Sequence, residues 1–180
     1  MSLVASAKSF TPAPEGVWPA VCVDVVDLGM IPGPWGTKSK CKIVWEISER
    51  MPDGRPFIAS KWYTISLHEK SSLHKHLKSW RGKAFTPDEL RGFDLEKLIG
   101  APCQLLIEQQ EKDGILYGNV TTILRAVKNA VLQPSGKYVR AKDRKERPGA
   151  AVGNGHSDYS EHEEEPPSIE EDYSNADIPF

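Results

Sequence analysis

The chain has 180 residues, of which 23 are Lys or Arg and 25 are Asp or Glu, for a formal net charge of −2. That length suits one domain of ordinary size plus a tail, and no apolar run approaches the ~20 residues of a membrane-spanning helix. The charge is unevenly placed: all 23 basic residues precede residue 149, leaving residues 1–148 at +7 against their 16 acids, while nine acids put residues 149–180 at −9. Such asymmetry suggests a polyanion-binding domain with an acidic tail, although charge runs also serve solubility alone.

Residues 1–15 read as a short lead-in without the apolar core of a signal peptide. From Gly16, the run containing Val17, Val21, Val23, Val25 and Val26 is rich in β-branched residues and predicts a strand, with Pro19 at an edge or bulged position. Asp27 to Lys38 reads as a loop, broken by Gly29, Pro32, Gly33, Pro34 and Gly36, with Trp35 in its middle. Lys40 to Ser48 is the clearest strand. Cys41, Ile43, Trp45 and Ile47 share one face, and Lys40, Lys42, Val44 and Glu46 the other. Met51 to Pro56 contains Asp53-Gly54 and reads as a hairpin turn. Phe57 to Leu67 returns as a third strand, whose mixed facing a bulge near Lys61 would reconcile.

Ser71 or Ser72 caps a helix with Leu73, Leu77 and Trp80 on one stripe, ending at Arg81-Gly82. Thr86-Pro87-Asp88-Glu89 starts a second short helix through a capping box, with Pro at its first position. Ala101 to Gln110 and Ile115 to Val127 are the last two strands, joined at Lys112-Asp113-Gly114. Three strands, a helical segment and two strands is the element order of the OB-fold, a five-stranded Greek-key barrel. Five-stranded α+β sheets of other topology share the same string. The expected fold is therefore mainly β: an OB barrel over residues 1–133 with a helical insert between strands 3 and 4. Residues 134–180 are expected to be a flexible linker and acidic tail, disordered from about 148, because too little apolar surface offsets the chain entropy.

No catalytic constellation emerges. Cys22, Cys41 and Cys103 are isolated, without a C-x-x-C pair, and read as buried thiols of a reducing cytosol. Asp24 and Asp27 read as surface carboxylates, and His74 and His76 lie on different helix faces. Gly33 to Ser39 departs from a phosphate-binding loop, because Thr37 separates Gly36 from Lys38 and a strand follows. The chain is thus expected to be no enzyme and to need no metal or cofactor.

Nucleic-acid binding has better support. A single-strand groove needs cations along the phosphates and aromatic faces for the bases. Lys38, Lys40 and Lys42 share a face beside Trp35, and Lys61, Trp62 and Tyr63 occupy the hairpin partner. Tyr117, near the last hairpin, is a further candidate. Trp45 and Trp80 lie on apolar stripes and are assigned to the core. Tyr63 stands between core and groove, since Ile65 and Leu67 share its face.

The basic strand-built body, the acidic linker and the terminal Asp177-Ile178-Pro179-Phe180 together resemble bacterial and phage single-stranded DNA-binding proteins. Ser60 to Thr64, Leu67 to Ser71 and Ser79 to Gly82 are most similar to phage-encoded members, and the long insert departs from the bacterial pattern. The resemblance implies single-stranded DNA as ligand, a role in phage DNA replication, recombination or repair, and a location in the bacterial host cytoplasm. It also implies that Asp177, Ile178, Pro179 and Phe180 recruit replication, recombination or repair proteins. The phenylalanine would fill an apolar pocket and its carboxylate would meet a cation. An RNA-binding module and a protein-only adaptor remain open as alternatives, as does a homo-oligomer.

Overall fold

The computed structural model describes residues 11–144. The acidic tail, with Asp177, Ile178, Pro179 and Phe180, lies outside the described residues. Five strands form one antiparallel sheet: β1 (Gly16–Gly33), β2 (Gly36–Arg50), β3 (Pro56–Thr64), β4 (Pro102–Lys112) and β5 (Ile115–Arg125), in the order β3-β2-β1-β4-β5. Between β3 and β4 come α1 (Ser72–Arg81), α2 (Pro87–Arg91) and a 3-10 turn, Leu95–Leu98. Residues of the two outer strands, β3 and β5, approach within 8 Å between Cα atoms. None of the helices among the described residues is long and apolar enough to cross a membrane.

The period-two pattern of β2 works as read. Cys41, Ile43, Trp45 and Ile47 are each at most 1% exposed and form one face of the core. Ala20 and Cys22 meet them from β1, Cys103, Leu105 and Ile107 from β4, and Val120 and Ile123 from β5. Leu73, Leu77 and Trp80 place α1 on the same core. The Trp80 ring lies 6.0 Å from that of Trp45, and its Nε1 donates to the Pro102 carbonyl at 2.9 Å. Burial pushes the Cys41 thiol up to about 11 and the Cys22 thiol up to about 12, so neither is a ready nucleophile.

Local chemistry sets the helix ends. Ser71, not Ser72, is the N-cap of α1, its hydroxyl accepting from the His74 N–H. Gly82 closes the helix at φ 67°, a left-handed conformation that glycine adopts without penalty. The capping box of α2 is complete: the Glu89 N–H donates to Thr86 Oγ1, and the Thr86 N–H donates to Glu89 Oε2.

Two strand readings change. Asp27 to Lys38 is not an open loop: β1 and β2 pair continuously through it, from Asp27 opposite Cys41 to Gly33 opposite Gly36. Gly29 (φ 70°) sits at a bulge there, and Pro32 lies on a stretch of β1 that pairs only with β2, where a missing N–H breaks no second ladder. On β3 there is no bulge near Lys61. The register runs unbroken from Lys40 opposite Thr64 to Glu46 opposite Ile58, and the irregularity falls between Glu46 and Arg50.

The compact unit reaches Arg144 rather than ending near 133. Residues 132–144 form a strap over the outer face of the sheet. Leu132 and Tyr138 pack on Val21, Val23 and Val44, side chains that would otherwise leave an apolar patch in water. The basic character of this stretch hides its anchors, which are carboxylates contributed by distant strands.

Candidate nucleic-acid interface

Alternation along β2 puts Lys38, Lys40 and Lys42 on the outer face, opposite the core residues Cys41 and Ile43. Successive members of this row are ~6.8 Å apart along the strand. Cross-strand pairing then selects the neighbours. Lys42 stands opposite Trp62 of β3 on one side and Val26 of β1 on the other, and Lys40 stands opposite Thr64 and Gly29. Directly opposed residues sit ~4.5–5.5 Å apart, so the Trp62 ring and the Lys42 chain share one patch. Trp62 is half-buried, which leaves part of its ring at the surface.

Trp35 occupies the tip of the β1–β2 hairpin, between Pro34 and Gly36, and is 73% exposed. Pro34 fixes one dihedral, and Gly36 takes φ 97° to let the chain reverse. Met30, 65% exposed, lies on the same ribbon opposite Ser39. The sequence reading missed Met30 and Ile31 because it treated their segment as a loop, where facing has no meaning.

Other predicted residues separate from this patch. Tyr63 is 2% exposed, and its hydroxyl hydrogen-bonds His76 Nδ1 at 2.7 Å, so it is a core residue with no face to offer a base. Lys61 pairs with Ile43 and shares the inward side of β3 with Ala59 and Tyr63, although it is half-exposed near the sheet margin. Adjacency in sequence placed Lys61, Trp62 and Tyr63 together; the pleat sends the first and third to the opposite face from the second. Tyr117 stands on β5 opposite Gln110, and β1 and β4 intervene in the sheet order between its strand and β2.

The same outer face contains two buried acids that were read differently or passed over. A bulge between Cys22 and Asp24 leaves Val23 unpaired and brings Asp24 opposite Val44. Asp24 is therefore not a surface carboxylate: it is 1% exposed. Its Oδ2 accepts the Ala141 N–H at 2.7 Å and the Tyr138 hydroxyl at 3.4 Å, and its Oδ1 accepts Arg140 Nε at 3.0 Å. Burial opposes its charge, but these donors prevail and hold the carboxyl below its ordinary range. Glu46, 2% exposed, accepts the Ser135 N–H at 2.8 Å and the Ser135 hydroxyl at 2.7 Å. Arg140 also donates from Nη2 to Glu96 Oε1 at 2.8 Å, and this bond lowers the Glu96 pKa.

A separate cleft of about 350 Å³ is lined by Trp80, Phe93 and Leu98 with Arg81, Lys97 and Arg125, none of them on β2 or β3. Among the described residues no group of three His, Cys, Asp or Glu side chains is placed to hold a metal ion. Comparison with protein-family models and with curated proteins finds no match to this chain.

Proposed function

We propose that the chain is a single-stranded DNA-binding protein whose body is an OB barrel. Support for the barrel comes from the antiparallel order β3-β2-β1-β4-β5, the approach of β3 to β5 and the helical segment between β3 and β4. The observation that carries the function is the outer row Lys38, Lys40 and Lys42, with Trp62 beside it and Trp35 exposed at the hairpin tip. Ammonium groups repeating along a strand suit a phosphate backbone, and flat rings accept unpaired bases of any sequence. Stacking on a ring reads no base edge, so sequence-tolerant binding fits this face best. The resemblance of the body and of Asp177 to Phe180 to phage-encoded members of that family supports a role in phage DNA replication, recombination or repair in the host cytoplasm. On this reading the acidic segment recruits partner proteins of those processes.

The test is a tryptophan-fluorescence titration with oligo-dT, a matched RNA and a duplex, each at several salt concentrations. Quenching by oligo-dT is expected, with affinity falling by ~0.7 in log K per log unit of salt for each phosphate neutralised. Tighter binding to RNA would favour an RNA module. Absence of binding to any of the three at low salt would leave only a protein-binding scaffold and refute the proposal.

A further inference from the structure

The outer row of β2 changes character half-way along. It reads Lys38, Lys40, Lys42, then Val44, then Glu46, and Asp24 lies beside Val44 on the next strand. Bare, this face would be cationic at one end and anionic at the other. A single strand following the lysines would run toward two carboxylates, and like charges repel.

We infer that the strap, residues 132–144, is a second wall of the nucleic-acid site, which masks the acidic end of the sheet and replaces it with cations. The inference rests on the single-strand reading above. The strap crosses from Glu46 on β2, through its bonds to Ser135, over Asp24 on β1, through Arg140 and Ala141, to Glu96 in the 3-10 turn. Both buried carboxylates spend their acceptors on it. Residues 134–144 themselves hold Lys137, Arg140, Lys142 and Arg144 against the single acid Asp143, a net +3.

Arg140 is used inward, on Asp24 and Glu96. Lys137, Lys142 and Arg144 are exposed. The Arg144 guanidinium lies 5.4 Å from the centre of the Tyr138 ring, and Tyr138 packs on the cluster containing Val44. Val44 is the next outward residue after Lys42, ~6.8 Å along the strand. Tyr138 with Arg144 therefore continues the surface on which Lys42 and Trp62 stand. Lys142 also lies 3.9 Å from Glu96 Oε2, and Arg144 donates to the Val139 carbonyl and the Tyr138 hydroxyl, so these two cations are held on the strap with their charge at the surface, while covering Val21, Val23 and Val44 needs Leu132 and Tyr138 but not Lys137.

The experiment uses the full chain with Lys137→Ala, Lys142→Ala and Arg144→Ala combined, titrated with oligo-dT across a salt series beside the wild type and Lys38→Ala. The triple variant should stay folded, with a modestly lower Tm from the lost Arg144 bonds to Tyr138 and Val139 and the exposed Lys142–Glu96 pair, and should keep the full tryptophan quench, with the slope of log K against log salt shallower by about 2, from ~0.7 for each lost phosphate contact. Lys38→Ala should lose about 0.7 in the same plot. A triple variant with the wild-type slope, beside a Lys38→Ala variant that loses its share, overturns the second wall and leaves the single-strand reading standing. A wild type that does not bind oligo-dT removes both.

Discussion

Asp24→Asn tests the anchoring of the strap at one atom. The carboxylate serves three donors: the Ala141 N–H, Arg140 Nε and the Tyr138 hydroxyl. Asparagine keeps one acceptor oxygen and turns an NH₂ group toward whichever donor sat on the other. Arg140 keeps Glu96, so its charge retains a partner. The net loss is thus about one charge-assisted hydrogen bond, ~1.5–3 kcal/mol. The Asp24 side chain is only 2% exposed, so water replaces little of that loss. At roughly 3–5 °C per kcal/mol for a unit of this size, the Tm should fall by roughly 5–15 °C. Thermal unfolding followed by circular dichroism measures this. Asp53→Asn is the control: Asp53 binds Arg55 across an exposed turn, its side chain 48% exposed, and its removal should leave the Tm unchanged. A fall below about 2 °C for Asp24→Asn, the range of ordinary surface substitutions, would refute the anchor.

Trp35→Ala and Trp62→Ala should each weaken oligo-dT binding roughly 5- to 150-fold, the loss of one stacked base at ~1–3 kcal/mol, whereas Tyr63→Phe should leave Kd unchanged. Equal losses for all three would undo the assignment of Tyr63 to the core. Gly82→Ala should cost ~1–2 kcal/mol in urea unfolding, because a Cβ at φ 67° is strained and would meet Arg125 Cδ at 3.0 Å. Acid should loosen the strap. The Asp24 and Glu96 carboxyls are depressed in the folded state, so their contribution is complete above the unfolded value of ~4 and is lost as pH falls through the lower folded values. Tyr138 fluorescence or proteolysis near Arg140 should report release below about pH 4 but not at pH 6.

Much of the sheet was legible because its signal is local. Cys41, Ile43, Trp45 and Ile47 recur at every second position against Lys42, Val44 and Glu46, and a strand with one face on the core rewards that pattern. The caps Ser71, Thr86 and Gly82 were legible for the same reason: each bonds within a few residues of itself. The β1–β2 ribbon was not, because Gly29, Pro32 and Gly33 break structure on average but are tolerated where a strand is paired on one side only. Trp62 and Lys61 could be separated only once the register with β2 was known. The strap carries no periodicity. Its anchors join Ser135 to Glu46 and Ala141 to Asp24 across 89 and 117 positions, and Asp24 itself faces outward only because of the neighbouring bulge. For the site, the row Lys38, Lys40, Lys42 and the exposed Trp35 followed from spacing and turn chemistry alone.

The sequestered sulfurs have a practical side. The chain contains three cysteines, and Cys22, Cys41 and Cys103 are each at most 1% exposed. A maleimide dye should therefore ignore the native protein and attach only to a cysteine introduced at the surface. Thr37, exposed beside the hairpin tip, is such a position. A label there would watch the ribbon directly, without first stripping the chain of its own thiols.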